Sequence, residues 1–97
     1  MDFKVNTVHF TADKKLVDFI HGKIGKLELM SDQIIASEVY LRVDKNSERE
    51  NKITEVKLLL PGGELFAKKQ CKSFEEATDN VVDALKRQIE KYKAKVA

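Results

Sequence analysis

ITEVKLLLPGGELFAKKQCKSFEEAT, residues 53–78, contains two short strands, the reversal between them and the start of a helix. Val56, Leu58 and Leu60 recur every second residue, the period of a strand with one apolar face, from about 53 to 60. Pro61, Gly62 and Gly63 make a tight reversal, because glycine reaches positive φ without a steric penalty. The returning strand runs from Glu64 to Lys72, with Leu65, Ala67 and Cys71 on its inner face. Ser73-Phe74-Glu75-Glu76 is a capping box, in which the Ser and Glu side chains each satisfy a backbone amide near the other. A helix therefore starts here and runs to about residue 95. Its apolar stripe is Phe74, Ala77, Val81, Leu85, Ile89 and Tyr92.

Upstream, residues 34 to 44 alternate, setting Ile35, Val39, Leu41 and Val43 against Ala36, Glu38, Tyr40 and Arg42. The polar run Asp44 to Lys52 separates this strand from the next, and the two are expected to pair as a hairpin. The first ten residues alternate more weakly, with Phe3, Val5 and Thr7 on one side and Lys4 and Asn6 on the other. Thr11 offers an N-cap oxygen, and a helix is expected from roughly 12 to 30 on the stripe Leu16, Ile20, Ile24 and Leu27. Gly22 and Gly25 weaken that helix by up to about 1 kcal/mol each relative to Ala.

The order is strand, helix, three strands, helix, an α+β chain. A right-handed crossover makes the second strand parallel to the first, and two hairpins follow, so the sheet is mixed. Strands one, two and four then point the same way. Both helices leave in one direction, and their carboxyl ends fall at the same edge of the sheet.

The 97 residues suit a single domain, 1–97, with no room for a second. With 42% apolar and 35% charged residues the chain is globular, with a surface rich in ions. No apolar run approaches the ~18 residues of a membrane span, and the amino terminus lacks a basic segment followed by an apolar stretch. A cytoplasmic location without membrane contact is the expectation. Cys71 is the only cysteine, and neither His9 nor His21 sits at a spacing that would recruit it to a metal site, so no metal or cofactor is expected.

The formal charge is +2, from 18 Lys and Arg against 16 Asp and Glu, so any basic surface must come from segregation. Along the second helix the acids Glu75, Glu76, Asp79 and Asp83 come first, and Lys86, Arg87, Lys91, Lys93 and Lys95 follow. Arg87, Lys91 and Lys95 are spaced by four on one flank, with Lys86 and Lys93 on the other. Lys23 and Lys26, near the end of the first helix, are expected at the same edge as this tail, with the acids held elsewhere. For any one lysine the simpler explanation is dipole complementation, worth about 0.3 to 1 kcal/mol. For the set, cations converging from two helices fit a row of RNA phosphates better, and such contacts read shape without reading sequence.

Other features point away from catalysis. Phe74 and Tyr92 fall on the apolar stripe, and His21 has no nucleophile or carboxylate placed to complete a catalytic system. Gly62 and Gly63 lack the Lys and Ser or Thr of a phosphate loop. Asp79 and Asp83 share a helix face as a metal pair would, but a solvated acidic face is the stronger explanation.

Three segments resemble the ribosome hibernation-promoting factors. They are Phe19-Ile20-His21-Gly22-Lys23-Ile24-Gly25-Lys26-Leu27-Glu28, Pro61-Gly62-Gly63-Glu64-Leu65-Phe66-Ala67, and Ser73-Phe74-Glu75-Glu76-Ala77-Thr78-Asp79 followed by Leu85-Lys86-Arg87-Gln88-Ile89-Glu90-Lys91-Tyr92-Lys93-Ala94-Lys95. The resemblance covers nearly the whole chain. It implies a β-α-β-β-β-α fold, a four-stranded mixed sheet with two roughly parallel helices on one face, like that of double-stranded-RNA-binding domains. It also implies binding to the small ribosomal subunit, on its 16S RNA, in the channel used by messenger and transfer RNA. Bound there, the protein would inhibit translation and preserve idle ribosomes, with no small-molecule substrate and no enzymatic activity.

Carried over by position, Lys23, Lys26, Arg87, Lys91 and Lys95 match basic positions of that family, with Lys86 and Lys93 added. Thr78, where an apolar residue is expected, and the low net charge are departures. The chain is expected to act as a short form, without the dimerisation domain of long relatives, and as a monomer off the ribosome. Two other readings suit the same residues. One is a generic double-stranded RNA module; the other is a protein-interaction adaptor using the loop Asp44 to Lys52 or the outer sheet face.

Overall fold

In the computed structural model, which describes residues 1–8, 10–46 and 48–96, strand β1 (Asp2–Thr7) lies parallel to β2 (Ala36–Val43), pairing Asp2 with Ala36 through Thr7 with Leu41. Between them run α1 (Lys14–Gly25) and a 3-10 turn (Lys26–Leu29). Strand β3 (Lys52–Leu60) pairs antiparallel with β2, and β4 (Gly63–Cys71) antiparallel with β3, so the sheet order is β1-β2-β3-β4. Helix α2 (Phe74–Val96) closes the chain. His9, weighed above as a metal ligand, lies outside the described residues.

Both helices pack on one face of the sheet and against each other. The core between the layers takes Ile20, Ile24 and Leu27 from the first helical segment, and Val39, Leu41, Val56, Leu58 and Ala67 from the strands. Helix α2 contributes Phe74, Val81, Val82, Leu85 and Ile89. The alternation expected for β2 and β3 holds from Val39 to Leu41 and from Val56 to Leu60. The α2 stripe holds from Phe74 to Ile89, and Tyr92 is half-buried.

Four local expectations are corrected. Helix α1 is capped by Asp13, whose carboxylate accepts from the Leu16 amide at 2.8 Å, not by Thr11. The regular helix ends at Gly25, and the remainder of the expected helix narrows into the 3-10 turn. Ile34 is buried, whereas Ile35 is 54% exposed, although the Ile35 backbone already bonds Leu59 on one side and Asp2 on the other. Thr7, at the end of β1, is exposed, whereas Phe3 and Val5 on the same side are half-buried.

The departure at Thr78 has a structural counterpart. Thr78 is fully buried, and its hydroxyl lies 3.4 Å from that of Thr54 on β3, also fully buried. The separation is long for two hydroxyls. Even so, each supplies the other with a polar neighbour where an apolar residue would leave one hydroxyl alone.

Gly62 has φ +81°, the left-handed conformation the β3–β4 reversal needs. A Cβ at Gly22 would meet nothing within 4 Å. Gly22→Ala is therefore expected to stabilise the fold by up to about 1 kcal/mol, and Gly62→Ala to destabilise it by about 1 to 2 kcal/mol. Urea denaturation of the two variants beside the parent checks both signs.

Candidate nucleic-acid interface

Helix α2 keeps its apolar stripe along both halves but carries its acids in the first and its cations in the second. At its start the Ser73 hydroxyl accepts from the Glu76 amide at 3.1 Å. Glu75 and Glu76 then occupy the first turn, where the helix dipole favours acids, and Lys93 and Lys95 the last, where it favours cations. Lys86, Arg87, Lys91, Lys93 and Lys95 are all exposed and form no ion pair with any described residue. Glu90 is the one acid among them.

One firm hydrogen bond and one long one link this half of α2 to the β3–β4 hairpin. Gln88 donates its amide to the Phe66 carbonyl at 2.8 Å, and the Tyr92 hydroxyl donates to the Pro61 carbonyl at 3.4 Å. Lys91 and Lys95 flank a cleft of about 220 Å³ lined also by Leu65, Gln88 and Tyr92. On the other side of Tyr92, Lys93 borders a groove with Glu28, Leu29 and Asp32, so the 3-10 turn does reach the basic tail.

The first helix contributes less than expected. Lys26 is exposed, without an ion pair among the described residues. Lys23, however, is held by Asp79 of α2 at 3.1 Å and lies 5.4 Å from the centre of the Phe19 ring. The acids are thus not all kept away from the first helix's cations. Helix α1 has only 12 residues, so its last turn comes alongside the acidic half of α2, and side chains lean toward the amino end of their own helix. The same pair answers the metal reading of Asp79 and Asp83, since Asp79 already has a cation. Among the described residues no group of three or more His, Cys, Asp or Glu side chains could hold a metal ion.

The opposite face of the sheet is charged but compensated. Lys57 lies 3.7 Å from Glu38 and 3.9 Å from Glu64, Lys68 lies 3.7 Å from Glu55, and Arg42 also bonds Glu55. Tyr40 donates to Glu38 at 2.9 Å, and that carboxylate pushes the Tyr40 pKa up. The loop after β2 is pinned in turn. Asp44 accepts from the Asn46 amide and from Gln70 on β4, and these bonds hold its carboxyl below the usual range. No described helix is long and apolar enough to cross a membrane.

Periodicity located the α2 cations but not the cleft beside them. Leu65, Gln88 and Tyr92 meet only when α2 settles against β4.

Residues 3–97 match the family described as Sigma 54 modulation protein / S30EA ribosomal protein. A ribosome hibernation promoting factor of Escherichia coli is 32% identical over 91 residues, covering 94% of this chain and 90% of that protein. Another, of Pseudomonas putida, is 28% identical over 95 residues, covering 98% and 89%. A ribosome hibernation promotion factor of Deinococcus radiodurans is 34% identical over 80 residues, which are 80% of this chain and 41% of that protein. A ribosomal subunit interface protein from Coxiella burnetii superposes with a TM-score of 0.87 at 20% identity, over 97% of this chain and 99% of that one. The N-terminal domain of Protein Y from Thermus thermophilus gives 0.82 at 20% identity, over 95% and 99%. At that identity the two structures establish the fold, four mixed strands with two helices.

The division of α2 into two halves is open to test by stability alone. Ser73→Ala removes the cap and is expected to cost about 1 kcal/mol. Arg87→Gln and Lys91→Gln, at exposed positions off the stripe, are expected to stay within ~0.5 kcal/mol each. Urea denaturation midpoints at constant m-value report the difference.

Proposed function

Because the chain belongs to the Sigma 54 modulation protein / S30EA ribosomal protein family, we propose that it is a ribosome hibernation factor, holding ribosomal RNA through the cationic half of α2. The observation that carries this reading is the set Lys86, Arg87, Lys91, Lys93 and Lys95, exposed together and without carboxylate partners among the described residues, while the opposite sheet face pairs Lys57, Lys68 and Arg42 with its own acids. The names of its relatives in Escherichia coli and Pseudomonas putida support the hibernation role.

The finer reading is that the protein binds the small subunit's RNA in the channel for messenger and transfer RNA. A protein seated there excludes both and stops translation without any bond being made or broken. Ionic contacts suit such a task. Each Lys or Arg that neutralises a phosphate releases counterions, so affinity comes from many weak contacts whose strength follows the ionic conditions. Folded RNA offers phosphates in fixed rows, and a rigid helix with cations every three or four residues matches shape more than sequence. Lys26 is a candidate addition, since it stands on the 3-10 turn whose Glu28 and Leu29 share a groove with Lys93. Lys23 can join only by exchanging the Asp79 carboxylate for a phosphate, which places it second to the α2 cations.

Ribosome binding is expected to weaken steeply with salt, with log affinity falling by about 0.7 to 0.9 per log unit of salt for each phosphate contact. Cosedimentation with small subunits across a salt series measures the slope, and a flat line would sink the phosphate mechanism. Free duplex RNA, added as competitor, is expected to displace little of the protein; full displacement would instead favour a generic duplex-binding module.

Arg87→Glu combined with Lys91→Glu is expected to abolish cosedimentation at physiological salt, and Lys4→Glu, on the compensated sheet face, to leave it unchanged. New acids near the helix carboxyl end oppose the dipole at about 0.3 to 1 kcal/mol each. The double Gln variant, free of that penalty, is therefore assayed alongside and is expected to bind weakly while remaining folded.

A further inference from the structure

Resting on the reading of α2 as an RNA-binding helix, we infer that the cleft between α2 and β4 is a subsite for one unstacked nucleotide of single-stranded RNA. The cleft's floor is apolar, from Leu65 and Tyr92, and its rim is Gln88, Lys91 and Lys95. Its volume of about 220 Å³ corresponds to roughly seven waters at ~30 Å³ each. That is below the ~300 Å³ at which sites for drug-sized ligands begin, and it is on the scale of a single nucleobase.

The chemistry of the lining selects among small occupants. A nucleotide combines a flat apolar face, polar edges and an attached anion, and the cleft offers a complement to each. Tyr92 and Leu65 supply the surface against which a base can lie, the way proteins hold single strands without fixed sequence. Lys91 and Lys95 are one helical turn apart on the same rim, exposed and without ion pairs among the described residues, so both are available to consecutive phosphates. Gln88 spends its Nε2 on the Phe66 carbonyl, and no described residue donates to its Oε1, which can accept from a base edge.

The walls are held in place before any ligand arrives. Gln88 is tied to the Phe66 carbonyl at 2.8 Å, which fixes the amide, and the half-buried Tyr92 adds a longer 3.4 Å contact to the Pro61 carbonyl. Bases paired in a duplex are stacked away from such a cleft, whereas loops, bulges and ends present them. The cleft therefore gives the protein a preference for unpaired segments that phosphate contacts alone cannot supply.

The test compares two probes on the full chain at one salt concentration. One is single-stranded hexauridylate, and the other is an abasic oligomer with the same number of phosphates, each labelled for fluorescence anisotropy. Hexauridylate is expected to bind at least about 5-fold tighter, the lower end of base–aromatic stacking. That advantage is expected to persist in Tyr92→Phe and to disappear in Tyr92→Leu. Equal affinity of the two oligomers for the parent overturns the subsite, as does failure to bind either. The comparison on the parent stands even if Tyr92→Leu unfolds. Salt-dependent cosedimentation of the parent with ribosomes, alongside equal oligomer affinities, would remove the subsite and leave the phosphate reading in place.

Discussion

The parallel pairing of β1 with β2, from Asp2 opposite Ala36 to Thr7 opposite Leu41, constrains everything that follows in this molecule. Two parallel neighbours cannot be joined by a turn, so the chain must cross the sheet, and it crosses with α1 and the 3-10 turn. The crossover commits one face of the sheet to helices. Two antiparallel hairpin steps then return β4 to the direction of β1, so α2 enters the same layer running alongside α1. Both helices bury their stripes in one core, Ile20 and Ile24 from one and Val81, Leu85 and Ile89 from the other. Because α2 has 23 residues and α1 only 12, the last turns of α2 extend past α1. Those are the turns that carry the cations without an ion pair among the described residues.

The two faces of the molecule treat charge in opposite ways. On the open sheet face, cross-strand geometry sets Lys57 between Glu38 and Glu64, and Arg42 and Lys68 around Glu55. Exposed pairs of this kind contribute little to stability, about 0 to 1 kcal/mol each, but they leave no net field for a polyanion. At the end of α2 the cations are arranged along a single helix, where neighbours three or four residues apart repel unless acids intervene. Only Glu90 does so. The dipole offsets part of that repulsion, and an RNA phosphate would offset more. A formal charge of +2 for the whole chain thus hides a strongly uneven distribution.

Most of the architecture was legible in the sequence because it is written in short-range periods. Alternation identified β2, β3 and β4, and the Ser73 cap with its stripe identified α2 nearly to the residue. The errors lie where two nearby residues compete for one role and tertiary contact chooses between them. Thr11 and Asp13 are both good caps, and the carboxylate that reaches the Leu16 amide decided it. Ile34 and Ile35 are alike in shape, and it is the first that turns inward. The Lys23–Asp79 pair, the Thr54–Thr78 pair and the cleft at Tyr92 each join residues from separate elements. No spacing within one element encodes them. The family resemblance picks out Lys23 as a basic position but does not show that it is already occupied by a carboxylate.

The central claim is that the exposed end of α2 lies against ribosomal RNA in the decoding channel. Hydroxyl-radical footprinting of small subunits, with the protein bound and with it absent, tests this most directly. The account predicts that backbone protection is confined to RNA lining the path of messenger and transfer RNA. Protection found only on the subunit's solvent side, or only on the large subunit, would contradict it.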